Sequence, residues 1–152
     1  MSERNTDLHQ FVTFTVGGQL CGIPVLQVRD VLAPRDITPI PLAPSEVAGS
    51  LNLRGRIVTS IDLRVRFGLP KSDGDRDRMN IVVEHHGDLY SLIIDSVGEV
   101  LELTSETLER TPATLDASWS RFSNGIHRLE TGLLLILDIE CVLDIGGTAA
   151  AA

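Results

Sequence analysis

The chain has 152 residues, 43% of them hydrophobic, and a formal net charge of −8. That length fits one compact unit, or two small subdomains sharing a core, and the apolar content argues against disorder. The acidic balance disfavours nucleic acid, because phosphate binding needs clustered Lys and Arg.

No segment reads as a membrane span. The longest apolar run, Gly132 to Leu137, is far below the ~20 residues such a span requires. The start, Met1 to Gln10, is polar and lacks the apolar stretch of a signal peptide, so a cytoplasmic chain without direct membrane insertion is expected. Cys21 and Cys141 both sit in apolar segments, which favours free buried thiols over a disulfide in a reducing compartment. Aromatics make up only 4%, so Val, Ile and Leu must fill the core.

In chain order, Gln10 to Val16 alternates as a strand does, Gly17-Gly18 supplies a two-residue turn, and Gln19 to Pro24 returns as the second strand of a hairpin. Leu26 to Leu32 fits either a short helix or a bent strand. Pro34, Pro39, Pro41 and Pro44 keep the next stretch out of any central strand, with Ile37, Ile40 and Leu42 anchoring it as an extended edge segment. Pro41-Leu42-Ala43-Pro44 is a minimal Pro-x-x-Pro pattern, but its apolar surroundings suit packing on its own domain. Ser45 to Ala48 is predicted as one helical turn. Leu51 to Leu53 and Ile57 to Ile61 read as paired strands meeting at Gly55, and Leu63 to Phe67 as a short helix.

Pro70 to Arg78 is polar and reads as a flexible connection. Strands are expected over Asn80 to Glu84, Asp88 to Asp95 and Val97 to Leu103, then an irregular stretch, Thr111 to Ser123, carrying Trp119. A last hairpin, Gly125 to Leu129 with Leu133 to Leu137, precedes a helix over Ile139 to Leu143 capped by Asp138. About nine or ten short strands with little helix predict an all-β fold closed as small barrels or a sandwich, with two small barrels the economical reading. The polar break places the subdomains near 17–70 and 79–146, with strand 10–16 joining either, inside a domain over 8–146 flanked by flexible tails 1–7 and 147–152. No internal sequence repeat is evident.

The chemistry-bearing residues do not assemble an active site. His85-His86 would point to opposite faces if both lay on a strand, so the pair reads as solvated and no metal site is assigned. His9 and His127 lack partners at ligand spacing. Asp73, Asp75 and Asp77 lie in the polar connection, no Gly-x-Ser-x-Gly elbow is present, and no Gly-rich phosphate loop or dinucleotide fingerprint occurs. No cofactor is implied and the protein is read as a non-enzyme. Arg54, Arg56, Arg64 and Arg66 are spaced through apolar positions and read as exposed cations on a strand and turn. Asn52 and Arg54, beside a turn, suit docking or turn formation; Arg offers a planar fork to carboxylates and carbonyls.

Asn52-Leu53-Arg54-Gly55, then Ile57-Val58 and Ile61-Asp62-Leu63-Arg64, resembles the signature of CheW-type coupling proteins. Phe11 to Phe14 with Gly17, Gly22 to Val25, Val28-Arg29-Asp30-Val31, Ile37 to Pro41, Leu92 to Val97 and Leu135 to Asp138 agree in order and spacing. The resemblance spans roughly Gln10 to Leu143 and implies two five-stranded SH3-like barrels packed together, with short helices. It also implies an adaptor that joins the cytoplasmic tip of methyl-accepting chemoreceptors to the regulatory domain of a CheA-type histidine kinase, with CheW–CheW or CheW–kinase ring contacts, recruited to membrane arrays through its partners. By position, Val28, Asp30 and Val31 fall in the region expected to face the kinase, and Asn52, Leu53, Arg54 and Val100 near the receptor contact. Asp30 stands where a Glu is common, and Ser50 and Thr59 are polar where relatives are often apolar. Neither a phosphoacceptor helix bundle nor an ATP-binding segment is recognisable, so a free-standing adaptor is expected. The alternatives are a CheW-like regulatory module of another two-component system and a small β-barrel ligand binder.

Overall fold

A computed structural model describes residues 8–34, 36–70, 78–113, 115 and 117–144. Asp73, Asp75 and Asp77, and the expected tails 1–7 and 147–152, lie outside the described residues. The strands are β1 (Leu8–Val16), β2 (Gln19–Pro24), β3 (Val28–Leu32), β4 (Val47–Leu53), β5 (Arg56–Asp62), β6 (Met79–His85), β7 (Asp88–Ile94), β8 (Ser96–Thr104), β9 (Ser123–Leu129) and β10 (Gly132–Leu137). Three short helices accompany them: α1 (Leu63–Arg66), α2 (Ala117–Ser120) and α3 (Ile139–Leu143). The fold is all-β, as expected. Among the described residues no helix is long and apolar enough to cross a membrane.

Two five-stranded sheets form, in the orders β8-β1-β2-β10-β9 and β3-β6-β7-β5-β4. Alternation along each strand sends side chains to two places. In β1, Phe11 enters the filling of the first sheet with Leu134 and Ile136, while Val12, Phe14 and Val16 face the second sheet. In β6, Val82 joins Leu32, Leu51, Leu53 and Val58 inside the second sheet, while Ile81 and Val83 face the first. The largest core lies where the sheets meet and includes Phe67, Trp119 and Phe122. Each fully buried side chain of this kind contributes about 1.5–3 kcal/mol, so the contact between sheets is the main apolar term.

Sheet membership does not follow the expected subdomains 17–70 and 79–146. β2 in the first sheet continues through a 3-10 turn at Val25–Gln27 into β3 of the second, and β7 of the second continues into β8 of the first. The chain thus crosses between the sheets near both hairpins, because β3 and β8 each find an open edge beside a strand from the other half of the sequence. The same crossing resolves Leu26 to Leu32 into a 3-10 turn followed by a strand.

The two sheets repeat one design that the amino acids conceal. β1-β2 corresponds to β6-β7, β3 to β8, and the β4-β5 hairpin to β9-β10; in each sheet the first hairpin meets the second through a parallel pairing, β2 with β10 and β7 with β5. Gly49 and Gly125 share a role, with φ of 151° and 144°. A Cβ on either would collide with a backbone carbonyl, of Thr38 or of Glu109, the residues that bridge to Ser50 and Ile126. Asp62 and Asp138 both cap the helix that follows. Buried apolar pairs such as Val58 and Leu134 or Ile61 and Leu137 match in character but not in identity, so the repeat is not evident in the sequence.

Three local expectations are corrected. Ser45 to Ala48 is not a helical turn: Val47 N–H reaches Pro44 O at 2.9 Å, but Val47 already pairs with Ile61, since a β-branched residue beside an open edge gains more from the ladder. The irregular stretch Thr111 to Ser123 contains α2, which helps to bury Trp119. Arg78 is no part of a flexible connection: it is 7% exposed, and its guanidinium binds both Asp62 oxygens at 2.8 and 3.0 Å.

Arg64 and Arg66 are likewise not exposed cations, their side chains being 18% and 6% accessible. Arg66 donates to the carbonyls of Cys141 and Val142, both at 2.9 Å, satisfying the last turn of α3. Arg64 grips Asp95 with two bonds of 2.8 and 2.6 Å, and Asp95 also accepts the Gly17 N–H at 2.8 Å. Burial pushes the Asp95 carboxyl up, but the Arg64 and Gly17 hydrogen bonds and the charges of Arg64 and Arg78 outweigh it, so the group titrates below its ordinary 3.8. Both cysteines are free, Cys21 buried and Cys141 half-buried.

Two outcomes follow from these contacts. A fragment ending at Pro70 leaves β3, β4 and β5 without β6 and β7, and β1 and β2 without β8 or β10, so it will show no cooperative thermal transition by circular dichroism. Asp95→Asn will lower stability by about 1–3 kcal/mol in urea denaturation at pH 7. Because the folded pKa is depressed, that contribution is present above the unfolded value and vanishes as pH falls through the folded one, so the deficit will shrink below about pH 4.

Candidate docking surface

The β4-β5 connection is a two-residue turn closed by the Leu53–Arg56 pair, with φ of 52° at Arg54 and 87° at Gly55. Both central residues being left-handed makes a type I′ turn, which favours Asn or Gly at its first position. Here that position holds Arg. The Asn52 carboxamide oxygen accepts the Gly55 N–H at 2.9 Å, so Asn52 serves the turn. The turn therefore presents Arg54 from a braced base, with 81% of its side chain accessible.

Beside it runs β3, whose register against β6 slips between Val28 and Asp30. The bulge re-aims the strand. Asp30 Oδ2 meets Arg54 Nη2 at 3.3 Å while Asp30 Oδ1 accepts the Val31 N–H at 2.8 Å. Arg29 pairs with Glu84 of β6. A groove of about 240 Å³ results, lined by Arg29, Asp30, Arg54, Arg56 and Glu84 over Leu53 and Leu89. It lies below the roughly 300 Å³ at which small-molecule sites begin. Three guanidiniums face two carboxylates, a locally basic rim on an acidic chain.

The structure places the sequence-predicted residues unevenly. Asp30 and Arg54, expected to serve different partners, are bonded to each other. Leu53 is buried in the filling of the second sheet and supports the groove from below. Val28 packs against the shared core, whereas Val31 is exposed. Val100 sits on the other sheet, 55% exposed, opposite Val12 of β1. Sequence reasoning missed Glu84 and Leu89, which reach the groove only through the pairing of β6 with β3 and β7. Arg29 stood inside a quoted motif and Arg56 among the expected exposed cations, and their charge was the available signal.

The histidines divide in the same way. His127 is buried, with Nδ1 3.1 Å from Thr107 Oγ1 and the Phe11 ring 5.8 Å away; burial chiefly lowers its pKa, which suits a core position. The opposite-faces argument for His85 and His86 does not hold, because His86 lies in the turn at φ 52° and its ring stacks on His85 at 3.9 Å between centroids.

This double-sheet scaffold with its charged groove matches known proteins closely. The family model described as CheW-like domain matches residues 10–145. The chain is 30% identical to the chemotaxis protein CheW of Helicobacter pylori, over 93% of this chain and 85% of that one. It is 32% identical to the CheW of Treponema pallidum, over 90% and 82%. Among solved structures it superposes on the scaffolding protein TtCheW from Thermoanaerobacter tengcongensis with a TM-score of 0.82 and 31% identity, covering 91% of this chain and 94% of that one. Both five-stranded sheets are therefore SH3-like barrels, and the chain belongs to the CheW family of chemotaxis scaffold proteins, not to a family of enzymes.

Proposed function

We propose that this scaffold couples the cytoplasmic tips of methyl-accepting chemoreceptors to the regulatory domain of a CheA-type histidine kinase, acting in the cytoplasm at membrane receptor arrays. Val28, Asp30 and Val31 are assigned to the kinase side. Asn52, Arg54 and Val100 are assigned to the receptor side, with Leu53 bracing the β4-β5 turn from within. The observation that carries the reading is Arg54: a bulky cation held at a left-handed turn position, with φ 52°, where Asn or Gly would serve folding better. Left-handed backbone costs a non-glycine residue about 1–2 kcal/mol, and residues so placed concentrate where function requires the side chain.

The Asp30–Arg54 pair gives the coupling a physical route. A partner that takes the guanidinium for its own carboxylate or carbonyl releases Asp30, and a partner that binds Asp30 frees Arg54. Each ligand then changes the other's affinity, and linkage makes the effect reciprocal. Control of the kinase requires that these contacts favour one kinase state over another. The apolar helical tip of a receptor suits the exposed Val100 of the first sheet.

Arg54→Asn separates the two demands on this residue. Folding stability will rise by about 0.5–1 kcal/mol, since Asn suits the turn. Receptor association, read by calorimetric titration, will weaken by about 1–3 kcal/mol. Unchanged affinity for both receptor tip and kinase would refute the assignment.

A further inference from the structure

Away from the groove, the β6-β7 turn meets α3. His85 ends β6, His86 takes the first turn position, and Glu140 lies in the first turn of α3. One imidazole nitrogen from each histidine and one Glu140 carboxylate oxygen lie within 4.8 Å of one another. His86 Nε2 stands 3.9 Å from Glu140 Oε1, and the two rings stack at 20°.

The backbones that carry these donors are fixed. β6 pairs with β7 without interruption from Met79 to His85. α3 is pinned by buried Ile139, Val142 and Leu143 and by its Asp138 cap. The side chains are not fixed: His86 and Glu140 are each 73% accessible. Stacked rings direct their lone pairs alongside one another rather than to a common point. Binding one ion therefore needs rotation about side-chain torsions that are open to solvent, with no movement of the frame.

Two imidazoles and one carboxylate form a donor set that hard ions such as Mg²⁺ and Ca²⁺ decline in favour of oxygen, and that zinc and its neighbours accept with water in a fourth position. We propose that His85, His86 and Glu140 bind a divalent late transition-metal ion of the zinc class, which fastens the β6-β7 turn of one sheet to the helix that follows β10 of the other.

The test uses the untagged full chain, stripped with a chelator and titrated with zinc sulfate against a chromophoric competitor. One saturable equivalent is expected. His86→Asn, which suits the turn and so preserves folding, and Glu140→Gln should each weaken zinc binding about tenfold or more. Zinc should raise the melting temperature of the natural chain, as a ligand of the folded state does, and leave that of either variant nearly unmoved. His9→Ala should bind as the natural chain does. Failure to find a saturable equivalent would overturn the proposal, as would affinity unchanged in both variants or lost in His9→Ala.

Discussion

The grip of Arg64 on Asp95 is the constraint around which the molecule is arranged. Asp95 stands where the chain leaves β7 for β8, at the crossing from one barrel to the other. Its carboxylate is held by the Arg64 fork and by the N–H of Gly17 in the β1-β2 turn. One side chain thus joins the helix after β5, the crossing point and the first hairpin. Arg78 lies alongside, locked to Asp62 and donating to the Ile93 carbonyl at 3.3 Å. Half-buried ions of this kind hold the frame only while each keeps its partners, because an orphaned charge in such a place costs more than the pair returns.

This arrangement explains why so much of the family signature is architecture. Asp62, Arg64, Asp95 and Asp138 all belong to the quoted motifs, and each acts as a cap or a strut. Their presence made the fold legible, together with period-two alternation in β1, the apolar run of β10 and the glycine turns between strands. The crossing was not legible, because a strand carries its face in its sequence but not the identity of its neighbour. Arg78 looked like a loop cation for the same reason: its partner lies across a turn and a helix. The internal repeat is written in register and in two colliding glycines, not in residue identity.

The docking surface was readable in part. A polar pair beside a turn marked Asn52 and Arg54, and the structure then gave them different work, Asn52 closing the turn and Arg54 standing out from it. What the chain could not reveal was that Asp30 and Arg54 meet. Their contact depends on a bulge in β3 that no composition signals, and on β3 and β4 standing at opposite edges of a sheet that curls round its filling. Local preference and observed conformation conflict at Arg54, and that conflict separates a folding residue from a recognition residue better than exposure alone.

The crossed strands also bear on how a load travels through the protein. β3 carries Asp30 on the second barrel, yet its covalent predecessor β2 is an inner strand of the first. β8 reverses the relation, displaying Val100 on the first barrel while continuing from β7 of the second. A tug on either exposed strand is therefore resisted by main chain anchored in the opposite barrel, as in two clasped hands. The apolar core between the sheets and the two crossings act in the same direction, each opposing a tilt of one barrel against the other.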